Sequence, residues 1–293
     1  MRKMSLSYKV FYIFNTTLLI LLALVCFLPV LNILSLSLSD NIAVQQGKVI
    51  FWPVNFTSVG YQYIISNNAF WRAMWVSIMR VALGFTINII MTVLVAYPLS
   101  KSNQVFPART KYVWFFLVTI LFSGGLIPTF LIVKSTGLIG NMLALVIPDA
   151  VPIFNVVLLL NFFRQLPKEM EEAAFIDGAG HLTTLINIIL PVSKAALATV
   201  SLFMIVGHWN EWFTPIIYMR RTEDYPLQTY LRSTIISARF NVNNLNDMKI
   251  LNKLSNKTVI SAQIFIAMVP ILCVYPFLQK HFAQGIVLGS VKG

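Results

Sequence analysis

Apolar residues gather along this chain into long runs separated by short polar stretches. Six runs are long enough to cross a bilayer, near residues 11–36, 73–99, 112–133, 143–165, 195–219 and 258–279. A membrane helix needs about 20 such residues to match a hydrocarbon core of about 30 Å. In lipid the backbone must satisfy its own hydrogen bonds, which a helix does within one segment. The expected fold is therefore an all-α polytopic membrane protein with six transmembrane helices. The first run, centred on LLILLALVCFLPVLNIL, is too long for a signal-peptide core and has no small-residue cleavage site close behind it. It reads as a retained span. Prolines 29, 98, 128, 148, 152, 215, 270 and 276 lie in or at the ends of runs, where neighbouring helices or water can satisfy freed carbonyls.

Composition agrees with this reading. Hydrophobic residues make up 57% of the 293 and charged residues 11%, against about 25% charged in ordinary soluble domains. The net charge of +12 raises nucleic acid as a partner. The lysines and arginines sit beside the apolar runs, and no separate basic helix or stacking platform exists, so that class is excluded. Basic residues instead set the orientation. Arg2, Lys3 and Lys9 precede the first span, and Lys101, Arg109 and Lys111 follow the second. Arg164, Lys168 and Lys194 border the loop after the fourth, and Lys280 and Lys292 follow the sixth. These regions belong on one side, the cytoplasm, with both termini. The expected organisation is a cytoplasmic N-terminus at 1–10, a membrane domain at 11–279 and a cytoplasmic tail at 280–293. The loop near 220–257 departs from the rule, with seven Lys and Arg against three acids. Cys26 and Cys273 fall inside apolar runs and read as small buried apolar residues.

The densest polar cluster is EEAAFIDGAGHLTTLINIILPVS at 171–193. Pro167 suits a first helical turn, and Glu169, Glu171 and Glu172 complement the positive end of a helix dipole. Ala173 and Ala174 leave a flat surface, and Gly178 and Gly180 permit a sharp turn. A second helix is expected from His181 to Leu190, with Pro191 at its end. The result is a rigid protrusion at the membrane face, either a docking element or an interfacial hairpin with no partner.

Ionisable groups inside spans are costly and usually functional. Arg80, Asp149 and Glu211 qualify, and Glu211 stands in HWNEW beside Trp209, Asn210 and Trp212. Aromatic rings stack on sugar faces while amides and carboxylates bind hydroxyls, so these residues are candidates for a sugar pathway. An interhelical hydrogen bond with an interface anchor is the competing reading. No catalytic constellation exists: His181, His208 and His281 are scattered, without metal-ligand spacing. The chain also lacks a G-x-x-x-x-G-K-[ST] phosphate loop. No enzymatic activity, bound cofactor or metal is expected. An ion-coupled secondary transporter or a channel remains the alternative function.

The spacing Glu172-Ala173-Ala174, Gly178, Ile188 and Leu190-Pro191, with Asp177 and Ala179, resembles the EAA loop of membrane subunits of binding-protein-dependent ABC importers. SGGLIPTFLIV, GHWNEWFTPIIYM and the tail FAQGIVLGSVKG resemble the carbohydrate branch of that family, nearest to permeases for pectin- or alginate-derived oligosaccharides. The likeness covers most of 70–293, placing a core at about 70–279 and the EAA loop at 166–192. It implies a bacterial cytoplasmic-membrane protein that builds an oligosaccharide pathway with a second, homologous permease. Further implied partners are two ATP-binding subunits, which hold ATP and Mg, and an extracytoplasmic sugar-binding protein. The cargo implied is an oligosaccharide, an acidic one included. Glu172 would be the charged contact to the ATPase, with Glu171, Ala173, Ala174, Asp177, Gly178 and Pro191 shaping the seat. Gln284, Gly285 and Lys292 of the tail are a second candidate contact. Arg220, Arg221, Arg232 and Arg239 of the loop near 220–257 are candidates to meet acids on the binding protein or on the sugar.

Overall fold

The computed structural model describes the backbone of residues 6–240 and 257–289, and the side chains of 7–235 and 257–276. All regular elements among the described residues are helical; the one β contact is an isolated bridge between Ser39 and Phe56. The described residues fall into two compact units. One holds the chain up to Phe70 together with Leu231–Val269, and the other holds Trp71–Tyr230 and the chain from Pro270 on.

The first unit opens with α1 (Leu6–Ser37). Its most apolar stretch has no buried residue at all, as a helix in lipid permits. The far end of α1 runs LSLSLSD at 34–40, and here the polarity inverts. Ser35, Ser37 and Ser39 are buried, at 4%, 0% and 0% exposure. Their hydroxyls find partners: Ser35 Oγ donates to the Phe51 carbonyl (2.6 Å), Ser37 Oγ meets Tyr61 Oη (2.8 Å), and Ser39 Oγ accepts from Val54 N–H (3.0 Å). Asp40 then caps α2 (Asn41–Gln45) by accepting from Ile42 N–H. α3 (Val59–Ser66) follows. At Gly60 a Cβ would lie 3.2 Å from the Cβ of Ala262 and 3.3 Å from the Thr258 carbonyl. Glycine there lets α3 approach the first turns of α14 (Lys257–Gly289).

The second unit contains nearly all of α4 (Asn68–Ser100), then α5 (Arg109–Leu121), α6 (Leu126–Ser135), α7 (Ile153–Gln165) and α8 (Glu169–Ile176). α9 (His181–Thr184), α10 (Leu190–Val192), α11 (Lys194–Asn210), α12 (Phe213–Tyr218) and α13 (Leu227–Phe240) come next, the last ending beyond this unit. Its main core joins Val93, Ala96 and Leu99 of α4 to Val156, Leu159 and Phe163 of α7. A second cluster gathers Val133, Leu145 and Tyr218.

Three spans are single helices, in α1, α4 and α14. Three others exist only as bent pairs, so the described residues hold up to six spans if each pair counts as one. The continuous third span expected at 112–133 is broken: α5 and α6 meet at 117°. Ser123-Gly124-Gly125 is the cause, since Gly125 adopts φ +80, a conformation closed to a continuing helix. The fourth is bent by 47° between Met142–Asp149 and α7, at the segment carrying Pro148 and Pro152. The helix of the expected fifth span at 195–219 stops at Asn210 and restarts at Phe213. The loop expected at 220–257 contains α13, and its residues 241–256 lie outside the described residues. The tail expected from 280 is helical in backbone as far as Gly289.

Candidate functional site

Ser77, Arg80, Gly84, Asn88 and Thr92 recur along α4 at steps of three or four residues, so they share one helix face. All five are buried. Ser77 Oγ accepts from Leu227 N–H (2.7 Å), the first residue of α13. Arg80 donates to the Glu211 carbonyl (3.0 Å) and carboxylate (2.7 Å), between α11 and α12. Asn88 Nδ2 donates to the carbonyls of Asp149 (2.6 Å) and Ala150 (3.1 Å), at the break before α7. Gly84 leaves the space that the His208 ring fills; a Cβ there would overlap the imidazole. His208 Nε2 in turn meets Asn88 Oδ1. An amide oxygen only accepts, so Nε2 carries the proton.

Ser77, Arg80 and Asn88 therefore serve helix ends. A broken helix frees N–H and C=O groups, and each one left unmet in lipid costs several kcal/mol. α4 is unbroken and carries the side chains that meet them. Glu211 works from the other side. Its carboxylate accepts from Phe213 N–H (2.7 Å), Thr214 N–H (2.9 Å) and Thr214 Oγ1 (2.5 Å), capping α12 while it neutralises Arg80. Arg80 is buried to 3% side-chain exposure and Glu211 to 31%.

This placement changes the meaning of the residues expected to line a pathway. Arg80 and Glu211 are one ion pair, and the Arg80 charge is committed to it. Asp149 takes part through its carbonyl, and its residue is otherwise exposed. Trp209 is 5% exposed, so its ring is packed in protein and offers no open stacking face. Asn210 is exposed and Trp212 half-buried, with its ring edge-on to Phe213. Ser77, Gly84, Asn88 and His208 were not picked out by sequence reasoning. The usable signal is a polar or small residue every third or fourth position of an apolar helix.

The segment at 166–192 forms two helical pieces around an elbow. α8 begins with Glu169, Glu171 and Glu172 in its first turn and ends before Asp177. Gly178, at φ +82, makes the turn, and no atom lies within 4 Å of its missing Cβ. Pro191 does not end the second helix. The chain passes through a π-helical turn at Leu185–Ile189, is helical again to Val192, and bends by 85° into α11. A proline lacks an N–H and crowds the preceding turn, which suits this wider turn just before it.

The element has two faces. Glu172, Ala173, Ile176 and Asp177 are exposed. Ala174 is buried, so its small side chain permits close packing within this chain. Glu171 turns inward as well, forming an ion pair with Lys101 just past α4. The Lys101 ammonium also sits 3.8 Å over the Tyr97 ring. Burial pushes the Lys101 pKa down, opposed by Glu171. His181 packs edge-on against both Tyr97 and Phe175. Arg109 (2.8 Å) and Arg164 (3.3 Å) donate to the Leu99 carbonyl and close the end of α4. Gln284 and Gly285 lie in the helical backbone of α14, their side chains outside the described set, and Lys292 lies outside the described residues. Arg220 lies along Gly140, where a Cβ would stand 3.2 Å from Arg220 Cδ, and Arg239 has no described side chain.

A family model described as the binding-protein-dependent transport system inner membrane component matches residues 70–288. The polygalacturonan/rhamnogalacturonan transport system permease protein YtcP of Bacillus subtilis is 38% identical over 275 residues, 94% of this chain and 96% of its own length. Protein LplC of the same organism is 40% identical, over 91% of this chain and 89% of its own. Among solved structures, a chain from a bacterial ABC transporter involved in the import of the acidic polysaccharide alginate aligns with a TM-score of 0.84 at 33% identity. That alignment covers 96% of this chain and 100% of the other.

Proposed function

The chain belongs to the family of binding-protein-dependent transport system inner membrane components, and from that premise we propose that it couples sugar passage to ATP hydrolysis by partner subunits through residues 166–192. It is a multi-pass membrane permease subunit of an ABC importer for oligosaccharides, and the alternative of a secondary transporter or channel is not favoured. The partners are a second permease, two ATP-binding subunits and an external binding protein. The observation that carries the coupling role is the two-faced α8. Glu172, Ala173 and Ile176 are open to a partner, while Ala174 and Glu171 tie the helix to its own chain.

A coupling element must be stiff, because differential contact is all that one subunit can pass to another. Here a push on α8 reaches α4 through Glu171 and Lys101, and α4 holds the helix breaks at 149–150 and 210–213. Both termini and this loop face the cytoplasm in this reading. The tail beyond 280 is a second contact to the ATPase. The cargo is an oligosaccharide containing acidic sugars, a reading supported by the relatives that transport polygalacturonan and alginate. With Arg80 neutralised, attraction for such a cargo falls to exposed cations such as Arg220 and Arg221.

The test is co-expression with the cognate partners. Ala173→Cys is expected to crosslink to a cysteine in the ATPase cleft, and uptake of galacturonate oligosaccharides is expected to require ATP. Absence of any such crosslink in active complexes would remove the coupling role. Equal uptake of a neutral arabino-oligosaccharide would remove the acidic cargo.

A further inference from the structure

We propose that residues 50–56 form a rigid anchor in the lipid headgroup layer on the side where α1 ends. The stretch of α1 from Val10 to Leu28 is exposed throughout except for half-buried Thr16. At 1.5 Å per residue this spans about 28 Å, the thickness of a hydrocarbon core. Asn32 and Ser35 stand about 6 and 10 Å further along the helix by the same rise. The headgroup layer adds roughly 5–7 Å on each side of the core. Asn32 Nδ2 donates to the Ile50 carbonyl and Ser35 Oγ to the Phe51 carbonyl, both at 2.6 Å. The backbone at residue 50 is thereby pinned within the headgroup layer and that at residue 51 a few ångströms outside it, by the same rise.

More bonds fix the rest of the loop. Asp40 N–H donates to the Val54 and Asn55 carbonyls (both 3.2 Å), and Thr57 N–H to the Leu38 carbonyl (2.9 Å). Ala43, Val44 and Val49 form a small core under the loop. The loop thus has apolar residues enough to bury, yet it leaves Ile50, Phe51, Trp52 and Phe56 exposed at 60%, 42%, 82% and 72%. A folded loop that holds large side chains outward marks a contact surface.

Lipid fits this surface better than a protein partner. The patch continues from the lipid-facing length of α1. Trp favours the headgroup boundary, where its apolar ring and its polar N–H are both satisfied. Charge is nearly absent: between residues 38 and 59 only Asp40 and Lys48 are ionisable as acid or base, and Asp40 is used as a helix cap. Such a surface offers little to steer a charged protein.

The experiment places a fluorophore at Trp52→Cys in a Cys26→Ala/Cys273→Ala chain, within the whole importer in nanodiscs. Ile20→Cys marks the bilayer depth and Phe56→Cys repeats the reading at a second exposed site. Lipids brominated near the headgroup are expected to quench residue 52 more than lipids brominated near the chain ends, with the order reversed at residue 20. Iodide in the water is expected to quench residue 52 only weakly. Strong iodide quenching without lipid quenching overturns the proposal. A change in emission only when the sugar-binding protein is added also overturns it and assigns the patch to that protein. The readout is depth, so it is independent of whether residues 166–192 couple to an ATPase.

Discussion

The elbow at 166–192 and the ladder along α4 are built inside out with respect to each other. In the elbow the charges Glu172 and Asp177 are exposed, while Ala174, Leu185 and Ile189 are buried and Ile176 and Leu182 stay exposed at 85% and 66%. On α4 the polar Ser77, Arg80, Asn88 and Thr92 are buried, while Trp75, Ile78, Ile90 and Leu94 are exposed at 61%, 43%, 51% and 49%. The difference is one of solvent. Water accepts a carboxylate and expels a leucine; lipid tolerates the leucine and leaves every polar group to find protein. The elbow can therefore offer its charges to another subunit. On the ladder Ser77, Asn88 and the terminal nitrogens of Arg80 are committed within the chain, while Thr92 Oγ1 and Arg80 Nε have no hydrogen-bond partner among the described residues.

The ladder should be the more fragile of the two. Arg80→Met strips Glu211 of its partner, and loss of one member of a buried pair costs about 3–5 kcal/mol; the partial exposure of Glu211 lowers this to ~2 kcal/mol. Thermal unfolding of the purified importer reads the loss. The double variant Arg80→Met/Glu211→Gln is expected to recover much of it, since no lone charge remains. Gly84→Val belongs with this test, because its side chain must displace His208 from Asn88. If either change left unfolding and uptake untouched, the ladder would not be holding the breaks.

A smaller effect on stability, with a complete effect on coupling, is expected at the elbow. Gly178→Leu puts a side chain on a residue at φ +82, at a cost of about 1–2 kcal/mol. Glu172→Lys reverses an exposed charge and should leave folding alone. Both are expected to abolish sugar-stimulated ATP hydrolysis, while the amount of chain in the membrane stays near normal. Retained stimulation in both would show that residues 166–192 are no more than an interfacial hairpin.

The smallest effect falls where the two regions meet. Lys101→Gln removes a part-buried ion pair with Glu171 and is expected to cost ~1 kcal/mol. Its informative reading is the ratio of ATP hydrolysed to sugar taken up, which should rise as the elbow moves without α4. Lys101→Glu/Glu171→Lys should restore part of that ratio. A lowered yield with an unchanged ratio would make the pair a packing feature only.

The elbow was readable in advance because its instructions are local. Acids in a first turn and a glycine elbow act through neighbours in the chain, whereas Pro191 does not end the second helix as expected. Even so, the inward turn of Glu171 and Ala174 was not readable, since it depends on the end of α4. The breaks are a mixed case. Ser123-Gly124-Gly125 stands in the sequence as a turn signal, yet the surrounding hydropathy masks it. The serines at 35, 37 and 39 read as an alternation in an apolar run, and only the loop at 50–57 explains their burial.

Hydropathy along the chain thus determined how many times it meets the membrane and roughly where, because transfer into lipid is summed over consecutive residues. Local turn chemistry determined the elbow. Tertiary structure alone decided which polar side chains are spent and which are free. Arg80 finds Glu211 across 131 positions, His208 finds Asn88 across 120 and Ser77 finds Leu227 across 150. Satisfying a polar group in lipid depends on what lies within about 3 Å of it, and separation along the chain carries no record of that distance.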